Sequence, residues 1–211
     1  MTEADHLLAT RESYDTVAET YDEFVKPRFA ADAVGRGLLA AFAELAREVG
    51  PIADLGCGPG HVTAHLAGLG APVSGVDLSP NMVAIARRTY PRLRFEVGSL
   101  TDLGHLPDGG LGGVLAWSST MHVPPAELPG AFAGFHRVLA PGGHLLLSFH
   151  AGDGHLKPER GYGHPVTYEA WLRRPDDVVA LLEDLGLEVT ARVLQPGPKW
   201  TYSTLLARKP A

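Results

Sequence analysis

The 211-residue sequence carries one cysteine, Cys57, which excludes an internal disulfide framework and a multi-cysteine zinc site. It also lacks any basic excess: 18 lysines and arginines face 24 acids, a formal net charge of −6, with no block of like charge. A nucleic acid or an anionic membrane calls for a basic patch or stripe, and none is legible. No apolar run approaches the ~18 residues of a membrane span. The opening MTEADHLLAT has neither the basic nor the apolar region of a secretory signal. These absences predict a cytoplasmic protein with no nucleic-acid or membrane partner, and they leave the oligomeric state open.

Glycine is what the chain has in surplus. Average usage of about 7% for glycine and about 5% for proline is exceeded by the 25 glycines and 17 prolines of this chain. With 45% hydrophobic residues and no low-complexity tract, the surplus reads as special turns within a folded unit. Length predicts a single domain over 1–211 with a core that needs no staples.

Apolar runs of strand length alternate with segments of helical period. Tyr14, Val17, Ala18, Tyr21 and Val25 share one helix face, and a longer helix is expected over 30–49 with Leu38, Leu39, Phe42, Leu45 and Val49 as its stripe. Strands are expected at 51–56, 71–78, 93–97, 112–117 and 144–150, with helices over 61–69, 80–89 and 126–139 between them. Ser79 followed by Pro80 is an N-cap with proline at the first helical position. After a polar, histidine-rich stretch, a helix over 176–185 precedes strands near 187–194 and 201–207. Repeated strand–helix–strand units give parallel pairing with right-handed crossovers and helices on both faces. The short LQPGPKW connection between the last two strands forces an antiparallel pair. The fold class is therefore α/β, a mostly parallel sheet with an antiparallel end, and ligands are expected beyond the carboxyl ends of its strands.

The first strand runs into Asp54-Leu-Gly56-Cys-Gly58-Pro-Gly60. His61 stands where the dinucleotide fingerprint needs its third glycine, which disfavours a nicotinamide-dependent oxidoreductase. Asp77 ends the second strand about 20 residues beyond the loop, where a carboxylate can accept from both hydroxyls of a ribose. The segments DLGCGPG, GVDLSPNMVAIAR, FEVGSL, GVLAWSSTMHV and LAPGGHLLLSF, in this order and spacing, resemble the class I S-adenosylmethionine-dependent methyltransferase family. The resemblance runs from about Tyr14 to the C-terminus. It implies a Rossmann-like sheet of seven strands with an antiparallel last strand, and S-adenosylmethionine as cofactor.

It also implies a donor site. Gly56, Gly58 and Gly60 would face the methionine and ribose, Asp54 would serve the ammonium, and Asp77 would hold the ribose hydroxyls. Leu78 and Met82 would flank the adenine, Ser99 and Leu100 would meet its edge, and Trp117 and Ser118 would lie beside the methyl group. Tyr14 and Tyr21 match the family's N-terminal tyrosines, which close over the donor and can bond its carboxylate, within a helical lid over 1–33. Bland alternatives stand beside these roles: Asp77 as a turn residue, Ser99 as a helix cap, Trp117 as core, and the two tyrosines as a packed helix face. Gly112 occupies a position where many relatives of the family have aspartate, which argues against its metal-dependent catechol-type branch.

A sulfonium methyl is already activated, so alignment is the main task and only an acceptor that loses a proton gains from a base. His150, at the end of the fifth strand, and His122, after the fourth, are the candidate bases, each with a structural alternative. The stretch 150–164 gathers His150, His155, His164, Asp153 and Glu159 in spacings of no metal motif, so no metal is assigned. Residues 151–175 are read instead as an acceptor-side loop insertion. The expected activity is methylation of a small-molecule acceptor at oxygen or nitrogen. A regulatory protein that keeps the cofactor pocket without catalysis is the rival.

Overall fold

The computed structural model describes residues 3–211. The chain alternates as expected: β1 (Ile52–Leu55), α3 (His61–Gly68), β2 (Val73–Asp77), α4 (Pro80–Thr89), β3 (Arg94–Val97), β4 (Leu111–Trp117), α5 (Leu128–Val138) and β5 (Leu139–Ala151). Ahead of these lie α1 (Glu3–Ala31) and α2 (Ala33–Arg47). After them come four short strands, β6 (Gly154–Leu156), β7 (Arg160–Gly161), β8 (His164–Pro165) and β9 (Ala170–Leu172), then α6 (Pro175–Asp184), β10 (Glu188–Pro196) and β11 (Thr201–Arg208).

The seven-stranded sheet has the order β10-β11-β5-β4-β1-β2-β3. Strands β1 to β5 pair in parallel, and β11 runs antiparallel to both neighbours, inserted between β5 and β10. Period-two alternation distributes the core: Val114 and Ala116 of β4 and Leu145, Leu147 and Phe149 of β5 face α5 and α6. Leu115 and Leu146, one residue out of phase, face α2 and α3 on the other side. Both faces of the central strands are covered, so all seven residues of β4 are apolar and all but Trp117 are fully buried.

Three local expectations change. The helix expected over 30–49 starts at Ala33, because the Asp32 carboxylate accepts from the Gly35 N–H at 2.9 Å and caps a new helix after α1. The buried stripe of α2 is Leu39, Phe42, Ala43 and Ala46, whereas Leu45 and Val49 are exposed. Small residues win there because α2 packs closely on β4. A Cβ on Gly112 would lie 2.4 Å from the Ala46 carbonyl, and one on Gly113 would lie 2.8 Å from the Ala46 side chain. Gly112 is thus explained by helix–sheet contact. Finally, 151–175 is not a plain loop: β6 pairs with β9 and β7 with β8, both antiparallel.

Candidate active site

Most of the residues expected to hold the donor lie at the carboxyl ends of β1, β2 and β4, although Asp54 lines a second, larger cavity rather than the cleft of Asp77, Leu78, Met82, Ser99 and Leu100. β1 is buried throughout and delivers Asp54 into the interior. Gly56, Gly58 and Gly60 all have positive φ, which permits the tight turn into α3. Their surroundings differ. A Cβ on Gly56 would strike the Ser119 side chain at 2.3 Å, and one on Gly60 would meet Phe95 at 2.8 Å. At Gly58 the nearest atom lies 3.7 Å away on Tyr21, so this glycine opens on the cleft. Gly56 and Gly58 line the cleft, whereas Gly60 is buried against Phe95 and Ala86 and serves the turn.

Asp77 joins the loop to the next helix. One carboxylate oxygen accepts from the Gly58 N–H at 2.7 Å and the other from the Ser79 N–H at 2.9 Å. Burial pushes its carboxyl up to about 6 despite those two donors. The cleft continues past Leu78, Met82, Ser99 and Leu100. The Ser99 hydroxyl accepts from the Thr101 N–H at 3.1 Å, so the residue caps a turn while lining the cleft.

Asp54 accepts from the Thr63 hydroxyl at 2.6 Å through one oxygen, while the other is buried without a partner among the described residues. Burial raises its carboxyl to about 7. A buried, half-satisfied carboxylate beside the glycine turn is complementary to an ammonium.

The β4 end is strained. Ser118 has φ +56, a left-handed value that costs a non-glycine residue energy, and its N–H donates to the Ser148 carbonyl at 2.8 Å. That kink lets the Ser119 hydroxyl donate to the Leu55 carbonyl at 2.7 Å and locks the β4 turn onto the β1 turn. Trp117 and Ser118 face the cleft.

The two histidines separate in role. His122 has both ring nitrogens engaged: Nδ1 lies 2.8 Å from the Glu169 carbonyl and Nε2 lies 2.8 Å from the Tyr14 hydroxyl. His150 lines the larger cavity, tilted against Tyr202 with ring centroids 4.8 Å apart, and its Nδ1 is buried without a partner among the described residues. Burial lowers both, His122 to about 4, so both imidazoles are neutral at pH 7. Among the described residues no group of three or more metal-ligating side chains converges. His155 pairs with Glu169 at 2.6 Å and stacks on Trp171.

Several residues of the site carry no local sequence signature. Asp15 of α1 accepts from the Ser79 hydroxyl at 2.6 Å and from the Asn81 N–H at 3.0 Å, which ties α1 to the N-terminus of α4. The Ser13 hydroxyl accepts from the Thr167 and Tyr168 N–H groups at 2.9 and 3.1 Å, tying α1 to the β8–β9 segment. Buried Arg173 donates to the carbonyls of Thr120 and Val123 and fixes the turn after β4.

Two cavities meet here. The cleft lined by Asp77 opens into a chamber of about 930 Å³, and the residues common to both are Tyr14, Tyr21, Gly56, Gly58, Trp117 and Ser118.

A family model described as a methyltransferase domain matches residues 52–143, the span that carries the glycine turn, Asp77 and β4. An uncharacterized methyltransferase from Synechocystis sp. is 34% identical over 156 residues, 69% of this chain and 70% of that protein. A ubiquinone biosynthesis O-methyltransferase from Xanthomonas oryzae pv. oryzae is 34% identical over 128 residues, 58% of this chain and 52% of that protein, so the chain spans about half of that relative. The solved structure of a DhpI–S-adenosylhomocysteine complex superposes with a TM-score of 0.76 at 24% identity, covering 97% of this chain and 98% of that one. The chain belongs to the class I S-adenosylmethionine-dependent methyltransferase family, and its cofactor is S-adenosylmethionine. The fold agrees in its seven strands and antiparallel β11. Among the described residues no helix is long and apolar enough to cross a membrane.

Proposed function

We propose that this enzyme moves the methyl group of S-adenosylmethionine to an oxygen or nitrogen of a small-molecule acceptor held in the large chamber. The observation that carries the reading is the shared doorway, because a donor cleft and a roomy second cavity meet at Trp117, Ser118 and the two tyrosines. The small-molecule class is supported by the ubiquinone biosynthesis relative and by the acidic balance of the chain. The same balance argues against nucleic acid, and the lone, buried, free cysteine suits a reducing cytoplasm.

In this reading Asp54 takes the ammonium of the donor, Asp77 its ribose hydroxyls, and Leu78, Met82, Ser99 and Leu100 its adenine. The Gly56 and Gly58 backbone lies along the methionine and ribose. When bound, the cofactor supplies an electrophilic methyl group on a sulfonium. The protein aligns the acceptor behind that methyl, and such orientation is worth about 7–11 kcal/mol. Helix α1 (Glu3–Ala31) acts as the lid, and 151–175 walls the acceptor side. His150 is the base: it is neutral and lines the chamber. His122, engaged at both nitrogens, positions Tyr14.

Incubation with isotopically labelled S-adenosylmethionine and a panel of hydroxylated and aminated metabolites, read by mass spectrometry, tests the reading. A labelled methylated product supports it. Donor binding without a product from any of them would favour a regulatory role.

A further inference from the structure

We infer that the acceptor is a planar, multi-ring aromatic molecule whose far end bears an anionic group such as a carboxylate. The inference rests on the large chamber being the acceptor site. Its walls are aromatic to an unusual degree for a chain with only 8% aromatic residues: Phe24, Tyr162, Tyr168, Trp200 and Tyr202 join the doorway rings. These rings come from α1, the β7–β8 and β8–β9 segments and the β10–β11 hairpin, and they brace one another. Tyr168 stacks on Tyr14 at 5.7 Å, and Tyr162 meets Tyr21 at 4.9 Å and Phe24 at 5.2 Å, both edge to face. Tyr162 and Gly163, both at positive φ, form the two-residue turn between β7 and β8, and that turn presents the ring. Flat aromatic walls favour a flat aromatic guest, and a volume of about 930 Å³ has room for more than one fused ring.

The charge of the chamber opposes that of the chain. Against a net −6, the chamber is lined by Arg28, Lys157, Arg160 and Lys199, with Asp32 and Asp54 as the acids. Asp32 is committed elsewhere, and Asp54 is the group assigned to the donor's ammonium. Asp32 caps α2 and accepts from Gln195 at 3.0 Å, and Asp54 is bonded to Thr63 and is raised to about 7 by burial. Lys157 is paired with Glu169 at 2.7 Å. Among the described residues, Arg28, Arg160 and Lys199 have only carbonyl or ring partners: Phe24 carbonyl and ring for Arg28, the Gly163 carbonyl for Arg160, and the Trp200 ring for Lys199. Arg28 and Arg160 are exposed side chains that keep donors in hand, and a guanidinium fork matches a carboxylate in both charge and geometry. An anion at the mouth and a nucleophilic atom at the doorway would lie at opposite ends of one rigid guest.

The probes are 6-hydroxy-2-naphthoate, whose hydroxyl and carboxylate are at opposite ends, and 2-naphthol, the same rings without the carboxylate. Each is titrated into the S-adenosylhomocysteine-loaded protein by tryptophan fluorescence. The naphthoate is expected to bind about tenfold or more tightly than the naphthol, the strength of one charged hydrogen bond. Arg28→Met with Arg160→Met should abolish the preference and leave the thermal shift with S-adenosylhomocysteine in place. Equal binding of the two probes, a preference that survives the double substitution, or binding of neither probe to a protein that does bind S-adenosylhomocysteine would overturn the inference. Failure to bind S-adenosylhomocysteine at all would instead overturn the methyltransferase reading beneath it.

Discussion

The phenolic oxygen of Tyr14 lies 2.8 Å from Nε2 of His122, and the direction of that hydrogen bond follows from the other side of the ring. The Glu169 carbonyl, 2.8 Å from Nδ1, can only accept, so Nδ1 carries the proton. With the imidazole held neutral by burial, Nε2 is a bare acceptor and Tyr14 must donate to it. The Tyr14 hydrogen is therefore spent on His122 and is not free to donate to a donor carboxylate. Of the two tyrosines matched to the family's N-terminal pair, Tyr21 alone keeps that option.

That chain of bonds predicts a stability effect. Tyr14→Phe leaves Nε2 of His122 without a partner and should cost about 1–3 kcal/mol, measured by urea unfolding. His122→Gln combined with Tyr14→Phe should cost less than the sum of the two single changes, because both break the same bond. Additive losses would mean that the pair does not interact.

His150 should behave differently. His150→Gln is expected to lower kcat by about 10²–10⁴-fold on a hydroxyl acceptor and to leave S-adenosylhomocysteine affinity unchanged by calorimetry. Burial lowers the imidazole below its ordinary 6.5. Its base form is thus full at pH 7 and is lost only as pH falls through that depressed value. The acid limb of the kcat/KM profile should vanish in the variant.

Donor binding should depend on pH through Asp54. Its carboxyl sits at about 7 in the folded protein against an ordinary 3.8, so ionising it costs stability as pH rises from about 4 to 7. An ammonium needs the ionised form. Affinity for S-adenosylhomocysteine should accordingly rise from pH 6 to pH 8, with proton release on binding below pH 7. Asp54→Asn should bind more weakly and flatten that slope, as read by calorimetry in buffers of different ionisation enthalpy.

Release of α1 is a fourth test. Asp15→Ala removes the acceptor shared by Ser79 and Asn81 at the start of α4. It should cost about 1–2 kcal/mol, within the range of lost helix-capping and buried hydrogen bonds, and should speed amide exchange along α1. S-adenosylhomocysteine should also dissociate faster if α1 covers it.

The glycine turn and the residues lining the cleft beside it were legible because their signals are local. The glycine turn, Asp77, and Ser79 with Pro80 each sit within a few residues of the backbone geometry that they serve, and the order of strands and helices follows from period alone. The insertion of β11 between β5 and β10 was not legible, since a short hairpin fixes antiparallel pairing but not which strand joins β5. Nor could Asp15 be told from the other acids of α1, because its partner Ser79 is 64 residues away. The two histidines looked alike in sequence, and only the Glu169 carbonyl, 47 residues beyond His122, separates them. Gly112 looked like a missing carboxylate, and its cause lies instead in the closeness of α2 to β4.

We propose that S-adenosylmethionine binds in the cleft joined by Gly58 and Asp77. The most direct test is calorimetric titration of S-adenosylhomocysteine into the wild type and into Asp77→Ala, with circular dichroism confirming that the variant is folded. Saturable one-site binding to the wild type is expected, with a loss of at least about tenfold in the variant, the equivalent of one charged hydrogen bond. No binding to the wild type, or equal affinity in a folded Asp77→Ala, would contradict it.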